Sequence, residues 1–118
     1  MMECVFCKII SQEIPADIVF EDESVLAFRD VNPLAPVHVL IIPKRHIESM
    51  NDLEDEVLLG QLLSRAVKIA KDLKISDDGY KLLIRTGKDG GQEVPHVHLH
   101  LIGGAKLREE IGPVNNVS

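Results

Sequence analysis

Alternating apolar and polar positions divide much of the chain into short extended segments. Residues 17–33, DIVFEDESVLAFRDVNP, hold two apolar runs around a turn at EDES, which predicts a two-stranded hairpin. Three further strands are predicted by VHVLIIP at 37–43, GYKLLIRT at 79–86 and HVHLHLI at 96–102. The chain is therefore expected to contain a mainly antiparallel sheet of about five strands.

Two other segments follow the helical period. CVFCKIISQEI at 4–14 has apolar residues at positions 5, 6, 9 and 10, which predicts a short amphipathic helix that ends at EIPAD. From Asp52 to about Lys74, apolar positions recur every ~3.6 residues, and carboxylates crowd the first turn, where the helix dipole favours negative charge. The predicted fold class is α+β, with a short N-terminal helix and one long amphipathic helix.

Length and charge limit the classes of function. A chain of 118 residues is expected to form a single domain, 1–118, around one core. Its net charge of −6 argues against nonspecific nucleic-acid binding but is compatible with a small anionic ligand in a local pocket. The sequence shows no signal-peptide pattern at its start and no apolar run near the ~20 residues that span a bilayer. We therefore expect a cytoplasmic protein that binds neither nucleic acid nor membrane.

Three of the five histidines, His96, His98 and His100, occupy alternate positions of the last predicted strand. Side chains two apart share one face of a strand, so the three imidazoles point one way. The simplest interpretation is a solvent-facing polar row. A single metal ion on all three is disfavoured, because residues i and i+4 of a straight strand lie ~13 Å apart while Zn–N bonds are ~2.0–2.1 Å. Catalysis on phosphorus is favoured, with His38 on another strand able to reach the row.

The segment HVHLHLI resembles the signature of the histidine triad superfamily, in which histidines alternate with apolar residues. CKIISQEIPADIVFEDESVLAFRDVNPLAPVHVLIIPKRHI, the long helix and GGQEVPHVHLHLIGG resemble the nucleotide-binding branch in motif, order and spacing. The resemblance covers about residues 3 to 104, and 105–118 form a polar tail outside it. It implies a HIT-like fold and a homodimer that contacts through the long helix and the fourth strand. It also implies hydrolysis or transfer of a purine nucleoside 5′-monophosphate unit.

The same resemblance assigns roles to three histidines. His98 is the implied nucleophile and would form a nucleotidyl-histidine intermediate that water hydrolyses. His100 would contact the phosphate and assist proton transfer, and His38 would help to set the imidazole tautomers. Attack by Nε2 requires a free lone pair on that atom, so the Nδ1–H of His98 must be held by another acceptor.

The resemblance also implies a nucleotide pocket. The predicted slot for the base is lined by Val5, Phe6, Ile9, Phe28, Val31 and Leu40. Asp30 would accept hydrogen bonds from the ribose hydroxyls, and Gln92 would lie near the leaving-group side of the phosphate. Ordinary core packing is the alternative for the apolar set, and a turn in RDVNP is the alternative for Asp30.

Two residues depart from the pattern of many relatives. Arg85, in LLIRTG, stands where an amide side chain is usual, and Glu93 stands where some branches have Ser or Thr. Arg85 is predicted either to contact the nucleotide phosphate, favouring a more highly charged substrate, or to form a surface ion pair. Glu93 argues against a hydroxyl-based proton relay to the leaving amine.

The two cysteines, Cys4 and Cys7, form a C-x-x-C pair, which in a reducing compartment favours a metal or redox site over a structural disulfide. A closed tetrahedral zinc site needs two more ligands. His46 and His96 are the candidates that leave the other histidines for chemistry, and the resemblance to zinc-binding branches implies the same set. The prediction is a structural zinc, and the alternative is two small core residues on a helix.

Three hypotheses for the function remain open at this point. The leading one is a purine nucleoside 5′-phosphoramidate hydrolase. The second is a dinucleoside polyphosphate hydrolase, which only Arg85 favours. The third is a nucleotide-binding scaffold with little catalysis, and the complete set of His38, His98 and His100 argues against it.

Overall fold

The structure is a computed structural model that describes residues 4–114. Its helices and strands are α1 (Val5–Ile10), β1 (Ile18–Glu21), β2 (Val25–Arg29), β3 (Val37–Pro43), α2 (Glu56–Asp72), β4 (Tyr80–Ile84) and β5 (Leu99–Gly103). The strands form one sheet in the order β1-β2-β3-β5-β4, and neighbouring strands are antiparallel. The predicted fold class is confirmed. The predicted core begins at residue 3 and the predicted tail ends at residue 118, and both of these positions lie outside the described residues.

The sheet is covered on both faces, because its central strands are apolar at nearly every position. One face packs against α2 in a buried cluster that includes Val39, Ile41, Leu62, Ile69 and Leu101. The opposite face packs against α1 in a second cluster, Cys4, Phe6, Ile9, Leu26, Phe28, Leu40 and Ile42. Alternate side chains of β3 therefore pack against different helices. The imidazoles of β3 and β5 lie on the face that α1 covers.

Helix α2 begins four residues later than the sequence pattern predicts. Asp52 belongs to a short 3₁₀ turn, Met50–Asp52, and Leu53 is extended. Asp55 is the N-cap, and its side-chain oxygen accepts a hydrogen bond from the backbone N–H of Leu58 at 3.1 Å. The helix ends at Asp72 with Leu73 as its C-cap, and Lys74 adopts a left-handed conformation with φ of 64°. A cluster of carboxylates marks the start of a helix but does not tell which one caps it.

Strand β5 is also shorter than predicted, since it begins at Leu99 and not at His96. The preceding residues bond outside the ladder: the N–H of His96 donates to the carbonyl of Val94, and the N–H of Val97 donates to the carbonyl of Ile47. Only His100 of the three histidines lies within the strand. None of the helices in the described part of the chain is long and apolar enough to span a bilayer.

Candidate active site

Three histidines meet on the α1 side of the sheet. His38 comes from β3, His100 from β5, and His98 from the segment that enters β5. Their rings pack together, with centroids 5.2 Å apart for His38 and His100 and 5.1 Å apart for His98 and His100. Each residue is less than a tenth exposed. A solvent-facing polar row is therefore the wrong interpretation of this motif.

Backbone groups fix the proton positions in this cluster. The N–H of Leu34 donates to Nδ1 of His38 at 3.1 Å, so a neutral His38 carries its proton on Nε2. Nε2 of His38 lies 2.9 Å from Nδ1 of His100, and its N–H donates to that nitrogen. A neutral His100 therefore also carries its proton on Nε2. These hydrogen bonds therefore make Nε2 of His100 a hydrogen-bond donor.

The opposite tautomer is fixed for His98. Its Nδ1 lies 2.7 Å from the backbone carbonyl oxygen of His96, and the Nδ1–H donates to that oxygen. The lone pair of the neutral ring is thus on Nε2, which is the arrangement that a nucleophilic imidazole requires. The sequence argument demanded an acceptor for this proton, but a backbone carbonyl leaves no signal in the sequence. Phe6 packs edge-on against the ring, at a centroid distance of 5.1 Å.

The cluster is held in its neutral form. Burial is the main cause that lowers the pKa of His38, of His98 and of His100, in the last case to about 4. The Arg85 guanidinium lowers all three further by charge repulsion, and the Asp30 carboxylate opposes this effect. All three rings are therefore uncharged near pH 7, so His98 can act as a nucleophile without first losing a proton.

A cavity of about 350 Å³ opens onto these rings. Its other walls are formed by Asp30, Asn32, Leu34, Arg85, Gly91 and Glu93. One Asp30 oxygen accepts from the N–H of Asn32 at 2.8 Å, and the other lies 3.6 Å from Nε2 of His38. Asp30 is thus a turn residue whose second oxygen lies close to the histidines. Nη1 of Arg85 lies 3.3 Å from Nε2 of His100.

The predicted base slot has two kinds of members in the structure. Phe6, Ile9, Phe28 and Leu40 are buried in the cluster beneath α1, where they pack with one another. Val5 and Val31 are exposed, Val31 by 89%. The walls of the histidine cavity are formed by other residues, so a role of these six in binding a base stays a prediction.

Gln92 holds the glycine-rich loop in place. Its amide oxygen accepts from the N–H of Gly87 at 2.9 Å, and its amide nitrogen donates to the carbonyls of Glu48 and Val94 at 2.6 and 3.0 Å. With these groups engaged in the protein, the structure places Gln92 as a clamp between the loop and the segment after β3. Gly90 allows this turn, because a Cβ there would collide with the Thr86 backbone. Contact of Gln92 with a leaving group remains a prediction.

A second cluster lies behind the first and contains the four predicted metal ligands, Cys4, Cys7, His46 and His96. One ligand atom from each lies within 4.8 Å of the others. Sγ of Cys4 is 3.3 Å from Nδ1 of His96, and Sγ of Cys7 is 3.3 Å from Nδ1 of His46. Two sulfurs and two imidazole nitrogens at these separations could hold a metal ion.

The hydrogen bonds around this cluster are also consistent with metal binding. Nε2 of His96 donates to the carbonyl of Pro43 at 2.9 Å, which leaves the Nδ1 lone pair facing the sulfurs. Burial and the neighbouring Cys4 raise the pKa of the Cys7 thiol to about 11, so the Cys7 sulfur ionises readily only beside a cation. The structure therefore brings together a donor set suited to a metal.

Comparison with known proteins agrees with this architecture. The HIT domain family matches residues 11–107. The chain is 50% identical, over 107 residues, to the purine nucleoside phosphoramidase of Escherichia coli strain K12, covering 89% of this chain and 90% of that protein. It is similar to a HIT family hydrolase from Legionella pneumophila, with a TM-score of 0.87, 51% identity and coverage of 90% and 96% of the two chains. It is also similar to a histidine triad protein from Clostridium difficile, with a TM-score of 0.89, 42% identity and coverage of 94% and 98%.

Proposed function

This chain belongs to the HIT domain family, and on that premise we propose that it hydrolyses purine nucleoside 5′-phosphoramidates. One observation carries the proposal: the bond from Nδ1–H of His98 to the carbonyl of His96, which leaves the Nε2 lone pair free in a cluster of neutral imidazoles. A protein that only binds nucleotides has no need for a histidine in this tautomer. The name of the Escherichia coli relative supports the same substrate class.

In the first step, Nε2 of His98 attacks the phosphorus atom of the bound phosphoramidate. An N–P bond forms to the ring, the P–N bond to the amine breaks, and the amine leaves after taking up a proton from solvent. The positive charge that develops on His98 is stabilised by the His96 carbonyl, which already accepts the Nδ1–H. His100 donates its Nε2–H to a phosphoryl oxygen.

In the second step, water attacks the phosphorus of the nucleotidyl-histidine. The N–P bond breaks, the neutral His98 ring is restored, and the proton lost by water balances the one taken up by the amine. Asp30, at the edge of the cavity, accepts hydrogen bonds from the ribose hydroxyls. The products are a purine nucleoside 5′-monophosphate and a free amine.

The four-residue metal cluster holds a structural zinc in this proposal. Cys4, Cys7, His46 and His96 are its ligands, and the ion stabilises the fold by joining α1 to the segments after β3 and before β5. His96 is the link between the two clusters, because its ring faces the sulfurs while its carbonyl holds His98. The protein acts as a cytoplasmic homodimer.

Replacement of His98 tests the proposed reaction. His98→Ala is expected to lower kcat/KM for an adenosine 5′-phosphoramidate at least about 1000-fold, because the nucleophile is lost. The Kd for adenosine monophosphate should change only a few-fold, since the other walls of the cavity remain. Mass spectrometry of acid-quenched wild-type enzyme should show the nucleotidylated chain, and the variant should lack it.

A matched control is Lys88→Gln, an exposed residue of the glycine-rich loop outside the histidine cavity. It should hydrolyse the substrate at the wild-type rate. Full turnover by His98→Ala would refute the assigned nucleophile, and absence of phosphoramidate turnover by the wild type would refute the proposed function.

A further inference from the structure

Arg85 is a cation that forms no ion pair with a carboxylate among residues 4–114. It follows β4 directly, it is partly buried, and within residues 4–114 its side chain has one polar contact, the 3.3 Å approach of Nη1 to His100. The surface ion pair considered from the sequence is not formed with any Asp or Glu of the described residues. A half-buried guanidinium that lacks a carboxylate is well placed to bind an anionic ligand.

The contact with His100 is between two donors. The chain of bonds from Leu34 through His38 puts the proton of a neutral His100 on Nε2, and the guanidinium can only donate. These two nitrogens are 3.3 Å apart, but two N–H groups cannot hydrogen-bond to each other, so each donor still lacks an acceptor. An oxygen of an anion can accept from both, and this is the arrangement expected around a phosphoryl group.

Arg85 also stands between two cavities. Together with Leu34 it lines both the histidine cavity and a neighbouring cavity of about 620 Å³, which lies between β4 and residues 106–111. The histidine cavity accommodates the transferred phosphoryl group and the ribose side at Asp30. The neighbouring cavity is thus reached from the histidine cavity past the side chains of Arg85 and Leu34.

This neighbouring cavity is locally basic in an acidic chain. Its lining includes Lys81, Arg85, Lys106 and Arg108, against Glu109 and Glu110. Lys81 pairs with Glu109 at 3.0 Å and Arg108 pairs with Glu110 at 3.3 Å. Arg85 and Lys106 remain without a carboxylate partner in the described part of the chain. Two cations that have no carboxylate partner among residues 4–114 thus line this cavity, although the whole chain carries a net charge of −6.

We propose that Arg85 is a specificity-determining residue that selects substrates whose leaving group carries a phosphate or a carboxylate. The anionic group of the leaving amine lies in the cavity between β4 and residues 106–111, where the guanidinium and Lys106 bind it. Arg85 bridges this group and the phosphoryl oxygen that also accepts from His100. The inference rests on the proposed function, because it names the substrate class of the same site.

The test compares adenosine 5′-phosphoramidates that differ only in the charge of the leaving amine: phenethylamine, its para-carboxylate and its para-phosphate. We expect the wild type to prefer the two anionic substrates by about tenfold or more in kcat/KM, the size of one charge-assisted hydrogen bond. Arg85→Gln should lower kcat/KM for all three substrates, because the contact with the phosphoryl oxygen is lost, but the loss should be about tenfold larger for the two anionic substrates than for the uncharged one. Arg85→Lys should keep part of it, because the charge remains without the guanidinium fork.

Two further variants complete the set. Lys106→Gln, in the neighbouring cavity, should weaken the preference less than Arg85→Gln does and provides an independent test if Arg85→Gln folds poorly. Lys88→Gln removes a cation that lies outside both cavities and should leave the preference unchanged. Diadenosine tetraphosphate forms a second arm, in which the anionic leaving group is linked through oxygen. Arg85-dependent cleavage of it would extend the same rule to phosphoanhydrides.

The outcomes separate the two proposals. Equal kcat/KM of the wild type for charged and uncharged amines, or an equal loss on all three substrates in Arg85→Gln, would overturn the inference and leave the phosphoramidase function intact. Absence of turnover on every phosphoramidate by the wild type would instead refute the proposed function and the inference with it.

Discussion

At the scale of single residues, His96 joins two kinds of chemistry. Its Nδ1 lies 3.3 Å from the sulfur of Cys4, its Nε2–H donates to Pro43, and its backbone carbonyl accepts from His98. The ring is fully buried. A shift of this residue would therefore disturb the donor set of the metal cluster and the tautomer of the proposed nucleophile together.

The tautomer network predicts that His100 stays neutral in acid. Its pKa is lowered to about 4 by burial first, then by His98, Arg85 and His38, against the opposing charge of Asp30. A titration from about pH 4 to pH 8, followed by ¹⁵N NMR of the imidazole nitrogens, should show Nε2 protonated and Nδ1 unprotonated down to about pH 5. Because the shift is downward, the neutral form is lost only as pH falls through the lowered value.

Arg85→Gln should raise the midpoint of this titration, since one of the repelling charges is removed. Lys88→Gln, the control, should leave it in place. A midpoint near the ordinary value of 6.5 in the wild-type protein would contradict the buried network described here.

The residue types of the site could be predicted, but their bonding could not. The alternation of His96, His98 and His100 pointed to a shared face, and the structure brings all three to the side of the sheet that α1 covers. The partners that set their tautomers are the N–H of Leu34 and the carbonyl of His96. Every residue except proline has both a backbone N–H and a backbone carbonyl, so the sequence does not show which of these groups hydrogen-bond to the histidine rings.

At the scale of elements, α1 carries the two cysteines on consecutive turns. Cys4 is the N-cap, and its sulfur accepts from the N–H of Cys7 at 3.4 Å. Cys7 follows within the helix, and its sulfur lies 3.7 Å from His96. Removing Cys4 would therefore perturb both the helix cap and the metal cluster, while removing Cys7 affects the cluster alone.

Zinc binding is tested most cleanly with Cys7→Ala. Purified wild-type protein should contain about one zinc per chain by elemental analysis, and the variant should lose it. A chelator should lower the Tm of the wild type but not that of the variant. Ser11→Ala, a change at the exposed end of α1, should keep the metal. Wild-type protein without zinc after mild purification would contradict the proposal.

The element boundaries show why a pattern locates an element better than its ends. The 3.6-residue period found α2, but the helix starts at its cap Asp55 and not at Asp52, whose turn ends in the extended Leu53. The period of two predicted β5 from His96, but its ladder with β3 and β4 begins at Leu99. In both cases side chains keep the expected face, while local backbone bonds decide where the regular element begins.

At the scale of the whole molecule, two surfaces of residues 4–114 have no partner within the described part of a single chain. In the described residues β4 pairs only with β5, so its other edge is open. On α2, Val57, Leu63 and Val67 are exposed along one side, and Gly60 among them has open space above it. An open strand edge and an apolar helix stripe are features that association with a second copy would cover.

The proposed homodimer predicts a particle of twice the 13.1 kDa chain mass in light scattering after gel filtration. Leu63→Glu should shift it toward the monomer, because a charge is placed in the apolar stripe. Asn51→Glu adds the same charge at an exposed site away from α2 and should remain dimeric. A wild-type monomer at micromolar concentration would contradict this assembly. That the whole chain forms one domain stays a prediction.

The antiparallel ladder of β3 and β5 limits how this protein can evolve. Val39 pairs with Leu101 and faces α2, while the neighbouring Leu40 pairs with His100 on the face of the imidazoles. Deleting a single residue within β3 would turn the side chains on one side of the deletion to the opposite face of the sheet. His38 would then point into the apolar core beneath α2, and an aliphatic side chain would point into the histidine cluster. Point substitutions can accumulate on either face of β3. An insertion or deletion of one residue within β3 would instead disrupt both the histidine cluster and the core packing.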